Sequence, residues 1–316
     1  MGRIAKELVM AVKSCLVTGG CGFIGSHVVD LLVERGYQVS VIDDLSTGKL
    51  SNLNGNAQFI QGSILDNDLV RDAMQDIDWV FHLAAIPKIQ QSVDDPIGTH
   101  KINVNGTLTL LRHASNFHVK KFIYSSSASI YGRQAIPNMQ EDMVAKPNSP
   151  YAIQKYMSEL YMGLWADTYK LPTVSLRYFN VYGKRQSDAG DYPLVIANFL
   201  KQKKNGQPMT IFGDGTQTRD YVNVKDVALA NLAVAKADLD KYFYSNGYSP
   251  TFNVGSGKET SLNELARRIG GKTEYITPNP RASFDVERNF ADMTMMEEIV
   301  GWKAKIDLED GLKELK

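Results

Sequence analysis

Three glycines, Gly19, Gly22 and Gly25, stand between a short apolar segment and an amphipathic one, and they restrict the fold of this 316-residue chain more than any other feature. Residues 14–18 (Ser-Cys-Leu-Val-Thr) read as a buried strand. Residues 24–34 carry Ile24, Val28, Leu31 and Leu32 at helical spacing, and Gly36 follows as a stop. Gly19 permits a tight turn from strand to helix. Gly22 lets the backbone approach a pyrophosphate at the helix N-terminus, and Gly25 lets helix and strand pack closely. The spacing is G-x-x-G-x-x-G rather than G-x-G-x-x-G, and a plain tight turn is the competing reading. Asp43 ends the next strand, 18 residues after Gly25. An acid there accepts hydrogen bonds from ribose hydroxyls and repels a 2′-phosphate, which favours NAD over NADP. Its competing reading is a strand-end turn residue beside Asp44.

Further strands are expected at residues 38–42, 57–61, 79–83 and 121–125, with helical stretches around 65–74 and 99–116. This alternation predicts an α/β fold, a Rossmann-like doubly wound parallel sheet covered on both faces. After about Tyr178 the pattern loosens into loops, short strands and helices, as in Gly206-Gln207-Pro208 and Gly213-Asp214-Gly215. A smaller α/β lobe is expected there. Residues 1–178 are assigned mainly to the dinucleotide-binding domain and 179–316 mainly to the second lobe. Segments near 220–235 and 251–257 are expected to return to the first domain, and a helix is expected over 261–269.

The 35 basic and 35 acidic residues cancel, so no charge block points to nucleic acid or an anionic membrane. No apolar run is long enough to span a bilayer. Residues 1–14 lack a signal-peptide core and read as a short extension. The two cysteines, Cys15 and Cys21, have no metal-ligand spacing and form no disulfide framework. These traits fit a cytoplasmic protein without a bound metal.

The chemistry is expected at Tyr151 and Lys155, four residues apart at the start of a helix that follows Pro147-Asn148-Ser149-Pro150. A neighbouring ammonium stabilises a phenolate and is expected to lower the tyrosine pKa toward neutrality. Such a phenol can exchange a proton with a substrate hydroxyl while hydride leaves the same carbon. Ser127, just past the fifth strand, can share that hydrogen bond. Taken alone, a Tyr and a Lys at this spacing read as a surface helix face; the serine-rich strand end and the glycine turn upstream make the case. The same helix carries Tyr156, Met157, Leu160, Tyr161, Leu164 and Trp165. It is expected either to meet a partner helix from a second copy, making a homodimer, or to be buried within the chain.

In this order the motifs resemble the extended short-chain dehydrogenase/reductase family, and within it the nucleotide-sugar epimerases of the UDP-glucose 4-epimerase type. The markers run from residue 18 to residue 221: Thr18-Gly19-Gly20-Cys21-Gly22-Phe23-Ile24-Gly25, Asp43-Asp44-Leu45-Ser46-Thr47-Gly48, His82-Leu83-Ala84-Ala85, Ser125-Ser126-Ser127, Tyr151 with Lys155, Leu176-Arg177-Tyr178-Phe179-Asn180, and residues 213–221. The resemblance implies a catalytic trio of Ser127, Tyr151 and Lys155. It implies NAD held by Gly19, Gly22, Phe23, Ile24 and Gly25, by Asp43 to Gly48, by Ser63 and Ile64, by Leu83, Ala84 and Ala85, and by Ser125, Tyr151, Lys155 and Tyr178. It implies a UDP-sugar substrate met by Lys88, Ser127, Tyr151, Asn180, Thr210, Phe212, Arg219 and Arg281. Asn180 and Arg219 would bind the diphosphate, and Thr210 and Phe212 would flank the base. A salt bridge to Asp220 or Asp214 is the other reading of Arg219.

Two departures from the family pattern stand out. Gly62-Ser63 replaces a Gly-Asp that reaches the adenine amine, and residues 280–285 replace an Arg-Pro-Gly-Asp segment. Dehydratases and decarboxylases of the same resemblance carry acids beside the catalytic hydroxyl, whereas Ala128 and Ser129 stand here. Epimerisation at carbon 4 is therefore expected, on UDP-glucose/UDP-galactose, the N-acetylated pair, or both. A dehydratase or decarboxylase, or a non-catalytic NAD-binding regulator, is the alternative. Asn289 is expected near the sugar and is smaller than the tyrosine of some relatives.

Overall fold

The computed structural model describes residues 13–186, 194–240, 242, 249–278 and 286–315. Its first half follows the predicted alternation. Strands β1 (Ser14–Thr18), β2 (Gln38–Asp43), β3 (Gln58–Gln61), β4 (Trp79–His82) and β5 (Lys121–Ser127) alternate with α1 (Phe23–Glu34), α2 (Asn67–Ala73), α3 (Ile89–Asp94), α4 (Pro96–His100), a π-helical stretch (Lys101–Gly106) and α5 (Thr107–Asn116). A two-residue strand β6 (Asn138–Met139) precedes α6 (Pro150–Thr168), and β7 (Thr173–Tyr178) follows it. Beyond these come β8 (Asn180–Tyr182), α7 (Val195–Lys204), β9 (Met209–Phe212), β10 (Thr218–Asn223), α8 (Val224–Lys236), β11 (Thr251–Val254), β12 (Glu259–Ser261), helix Leu262–Ile269, β13 (Thr273–Ile276), β14 (Phe290–Ala291) and helix Leu308–Lys313.

The main sheet has seven strands in the order β11-β7-β5-β4-β1-β2-β3, all parallel. Cys15, Leu16, Val17 and the whole of β4 are buried, as near-continuous apolar strands must be when helices cover both faces. On one face α1 and α8 lie on Val17, Val41, Phe81 and Ile123 through Val28, Val29, Leu32, Val227 and Ala230. On the other, α2, α5 and α6 lie on Leu16, Val80 and Phe122 through Val70, Leu110, Leu111 and Met162. The strand order reverses between β1 and β4, and a crevice opens beyond the carboxyl ends of strands at such a switch point.

Strand β7 and helix α8 fall where the sequence pattern blurs, because both are enclosed. Every residue of β7 is buried, and most of α8 is. The smaller sheets are β12-β10-β8, β13-β9 and β14-β6. Strands β9 and β10, with α7 and the helix Leu262–Ile269, enclose a second core of Phe199, Met209, Ile211, Tyr221, Leu265 and Ile269. Strand β11 pairs with β7 at the edge of the main sheet, and α8 packs on α1. Among the described residues no helix is long and apolar enough to cross a membrane, and no His/Cys/Asp/Glu cluster could hold a metal ion.

Candidate active site

The carboxyl edge of the sheet gathers most of the sequence-predicted residues. Gly19 follows β1 with φ +71°, and a Cβ there would sit 2.7 Å from the Ala84 nitrogen. A Cβ at Gly25 would collide with the Gly19 carbonyl oxygen, so the helix start closes directly on the turn. At Gly22 an added Cβ would meet only the Gly19 oxygen, at 3.1 Å, which leaves the outer side of the cradle open beside Phe23 and Ile24.

Asp43 ends β2, and its carboxylate accepts from the backbone N–H of Cys21 at 2.9 Å and of Leu45 at 2.8 Å. Burial raises its pKa, and the two backbone donors pull the other way. Each oxygen keeps a lone pair for a further donor. The loop of Asp44, Leu45, Ser46, Thr47 and Gly48 folds over this carboxylate: Asp44 turns the chain by accepting from the Ser46 N–H, and Lys49 N–H bonds the Cys21 carbonyl. After β3, Ser63 Oγ accepts the Leu65 N–H at 3.2 Å, leaving its proton and one lone pair available. The Ile64 side chain lies in the core under Gly106, so only its backbone reaches this edge.

His82, quoted above only within a motif, ties the edge together. Thr18 Oγ1 lies 2.7 Å from His82 Nδ1, and Thr107 Oγ1 lies 2.8 Å from Nε2. Thr107 donates to the Asn103 carbonyl, so it accepts from Nε2–H, and Thr18 donates to Nδ1. Thr18 Oγ1 in turn accepts the Ala84 N–H, which fixes the stretch Leu83-Ala84-Ala85. Burial holds the imidazole neutral, down to about 3, with Lys155 adding to the effect.

The chemical groups meet where α6 crosses the end of β5. Ser149 caps α6 by accepting the Ala152 N–H at 3.2 Å, and Pro150 suits the first turn. The Tyr151 N–H donates to the buried Ser92 hydroxyl at 3.0 Å. Lys155 Nζ donates to the Ser125 carbonyl at 2.7 Å and lies 4.9 Å from the centre of the Tyr124 ring and 5.9 Å from that of Tyr151. Ser127 is the last residue of β5 rather than just beyond it. Its Oγ accepts from Ser129 N–H at 3.2 Å and Ser129 Oγ at 2.9 Å. Ser125 Oγ donates to the Tyr178 hydroxyl at 3.1 Å, and that hydroxyl donates to Asn231 of α8 at 2.9 Å.

The phenol departs from the sequence expectation. Burial pushes Tyr151 up to about 12, with the Ser127 hydroxyl opposing it. Burial pushes the Lys155 ammonium down to about 7, with Glu159 opposing it. Desolvation penalises both charged forms and sets the direction of both shifts, against the lowering of the phenol that sequence spacing alone suggested.

The residues expected at the sugar nucleotide lie on other elements. Lys88 is exposed and precedes α3. Asn180 begins β8 and donates to the Asp220 carbonyl at 3.1 Å. Thr210 is fastened on both sides to Gln202 of α7, and Phe212 ends β9. Arg219 Nη1 donates to the carbonyls of Thr218 at 2.7 Å and Val286 at 2.6 Å. The acids named as its alternative partners are engaged elsewhere: Asp220 accepts from Ser256, Gly257 and Ala291, and Asp214 from Thr216. Arg281 lies outside the described residues. The outer face of α6 is not buried within the chain, since Ile153, Leu160 and Leu164 are about half exposed.

Comparison with known proteins places this arrangement. Residues 15–255 match the model of the NAD dependent epimerase/dehydratase family. A putative UDP-glucose 4-epimerase of Methanocaldococcus jannaschii is 39% identical over 304 residues, covering 94% of this chain and 95% of that protein. The crystal structure of a UDP-glucose 4-epimerase from Thermotoga maritima with UDP-glucose superposes with a TM-score of 0.88 at 40% identity, covering 95% of this chain and 96% of that one. A UDP-N-acetylglucosamine 4-epimerase from Methanobrevibacter ruminantium, in complex with UDP-N-acetylmuramic acid, superposes with a TM-score of 0.89 at 36% identity, covering 96% and 97%.

Proposed function

Because the chain belongs to the NAD-dependent epimerase/dehydratase family, we propose that it is an epimerase that inverts carbon 4 of a UDP-hexose through a 4-keto intermediate. The observation that carries this reading is the make-up of the β5 end. Ser127, Tyr151 and Lys155 converge there, and the residues after Ser127 are Ala128 and Ser129, with no acid to eliminate water or assist loss of carbon dioxide. The buried Glu159 is committed to Ser126 and Arg177.

NAD, when bound, would supply the hydride acceptor and donor and the positive charge of its oxidised ring. Asp43 takes the adenosine ribose, and the turn from Gly19 to Gly25 takes the pyrophosphate. Tyr151 Oη removes the proton of the sugar 4-hydroxyl as hydride leaves carbon 4. Ser127, with its oxygen already accepting from Ser129, directs its own proton toward the reacting oxygens. Lys155 donates to the Ser125 carbonyl, and in its protonated form it adds to the positive charge that favours phenolate. The flat 4-keto sugar then presents its other face, hydride returns, and Tyr151 gives the proton back, so atoms and electrons balance over one cycle.

In this reading Asn180 and Arg219 hold the diphosphate. Thr210 and Phe212 flank the base, Lys88 borders the sugar side, and Arg281 joins the diphosphate. The short side chain of Asn289 supports a sugar side open to N-acetyl groups. A second copy of the chain is the partner, packed on the exposed apolar side of α6.

Incubation with UDP-galactose and with UDP-N-acetylgalactosamine, followed by NMR, tests the proposal. The expected products are the 4-epimers at unchanged mass; a product that has lost water or carbon dioxide rejects it. Tyr151→Phe should abolish turnover and leave NAD bound. Asn289→Tyr should depress turnover of the N-acetylated sugar about 10–100-fold relative to UDP-galactose; equal effects on both would remove Asn289 from the sugar pocket.

A further inference from the structure

The side of α6 that bears Tyr151 and Lys155 continues one turn further, to Glu159, and all three residues are buried. These three face three consecutive serines at the end of β5. Tyr151 lies against Ser127, Lys155 Nζ donates to the Ser125 carbonyl at 2.7 Å, and Ser126 Oγ donates to Glu159 Oε1 at 2.5 Å. The helix and the strand end are thus joined by three successive rungs. The third rung contains an ion pair that the reaction scheme does not use.

Arg177 completes it from β7, where it is the register partner of Ser126. Its Nε donates to Glu159 Oε1 at 3.0 Å and its Nη2 to Oε2 at 2.8 Å, the two-pronged geometry of a guanidinium on a carboxylate. The two side chains are only 7% and 6% exposed. Arg177 Nη1 also donates to the Glu141 carbonyl at 3.0 Å, and the guanidinium lies 4.8 Å from the centre of the Tyr131 ring. A buried ion pair adds little stability over a well-packed apolar pair, because desolvation cancels most of the attraction. What the pair does supply is direction. A carboxylate gripped by two parallel N–H donors cannot slide along its helix axis without losing both, and Ser126 is fastened to that same carboxylate.

We propose that Glu159 and Arg177 are positioning residues that fix the register of the β5 end against α6, and so set where the Ser125 carbonyl holds Lys155 and where Ser127 meets Tyr151. The inference rests on the epimerase reading for its kinetic consequence but not for its geometry. The hydrogen bonds of the pair run to each other, to Ser126 and to the Glu141 carbonyl, and not to Ser127, Tyr151 or Lys155. An apolar replacement that restores packing should therefore keep the fold and the ligands and lose the alignment.

The test is the double variant Glu159→Leu/Arg177→Met, which removes both charges of the pair together. It should fold, retain NAD and keep the KM for the UDP-sugar, while kcat falls about 10–100-fold, the scale of a misplacement near 1 Å. Its crystal structure should show the contact between Lys155 Nζ and the Ser125 carbonyl broken or lengthened. A folded double variant with the parent kcat, or with the Lys155–Ser125 contact unchanged, overturns the proposal. Should the parent protein turn over no UDP-sugar, the epimerase reading falls, and the crystallographic arm still decides the role of the pair.

Discussion

Burial acts on the two titrating groups of the site in opposite directions, raising Tyr151 to about 12 and lowering Lys155 to about 7. The lysine shift has a consequence for stability. Between about 7 and its ordinary 10.5 the unfolded chain holds the Lys155 proton and the folded chain has released it. The unfolded state binds more protons in that window, so the Lys155 contribution to stability rises with pH across it. Below about 7 the folded protein carries the full cost of a buried ammonium. Lys155→Met removes that cost, so the Tm difference between variant and parent should favour the variant most near pH 6 and shrink toward about pH 10. A difference that stays flat with pH would show that Lys155 keeps its ordinary proton affinity in the fold. That Tyr151, Lys155 and Ser127 come together was legible in the sequence because their spacing and their place after a strand are local facts. The sense of the Tyr151 shift was not, because spacing names neighbours and says nothing of depth. Glu159 was missed for a related reason. An acid on a helix reads as solvated until its partner Arg177 arrives from another strand.

At the scale of elements, α1 was readable because one stripe of it is apolar and a glycine turn precedes it. By contrast, α8 is wrapped by the sheet and α1, so its sequence carries no polar face to mark a period, and β7 is enclosed likewise. What holds α8 in place is equally non-local. Lys121 at the start of β5 donates from Nζ to the carbonyls of Val234 at 3.2 Å, Ala235 at 3.2 Å and Ala237 at 2.7 Å, the orphan acceptors at the helix end. A cation there also meets the negative end of the helix dipole. Burial lowers the pKa of Lys121, with Asp240 opposing. Lys121→Met keeps the apolar stem and removes the donor, and should cost about 2 kcal/mol of unfolding free energy. Urea unfolding would register this as a lower midpoint at unchanged slope; an unchanged midpoint would mean that water serves those carbonyls as well.

For the whole molecule, the open question in the sequence was whether α6 finds its apolar partner inside the chain. It does so on one side only. Met162 and Ala166 enter the core, while Ile153, Leu160 and Leu164 stand out, with Tyr169 exposed just past the helix end and stacked on Trp165 at 4.7 Å. A groove of about 350 Å³ between α5 and α6, lined by Leu108, Arg112, Trp165 and Tyr169 among others, continues this surface. Apolar side chains in a contiguous patch of this kind mark contact surfaces in soluble proteins. With 35 basic and 35 acidic residues the chain has no net charge to keep copies apart. A second copy packed through a two-fold axis would place α6 against its own symmetry mate and cover the patch on both chains at once. The site faces the other way, since Tyr151 and Lys155 point to β5, so the contact can be broken without touching the chemistry. The double variant Leu160→Glu/Leu164→Glu should therefore sediment at the mass of one chain while the parent sediments at twice that mass, and it should keep NAD. A parent protein that sediments as a single chain at micromolar concentration, with Leu160 and Leu164 bare to solvent, would sink the dimer and leave that face without an occupant.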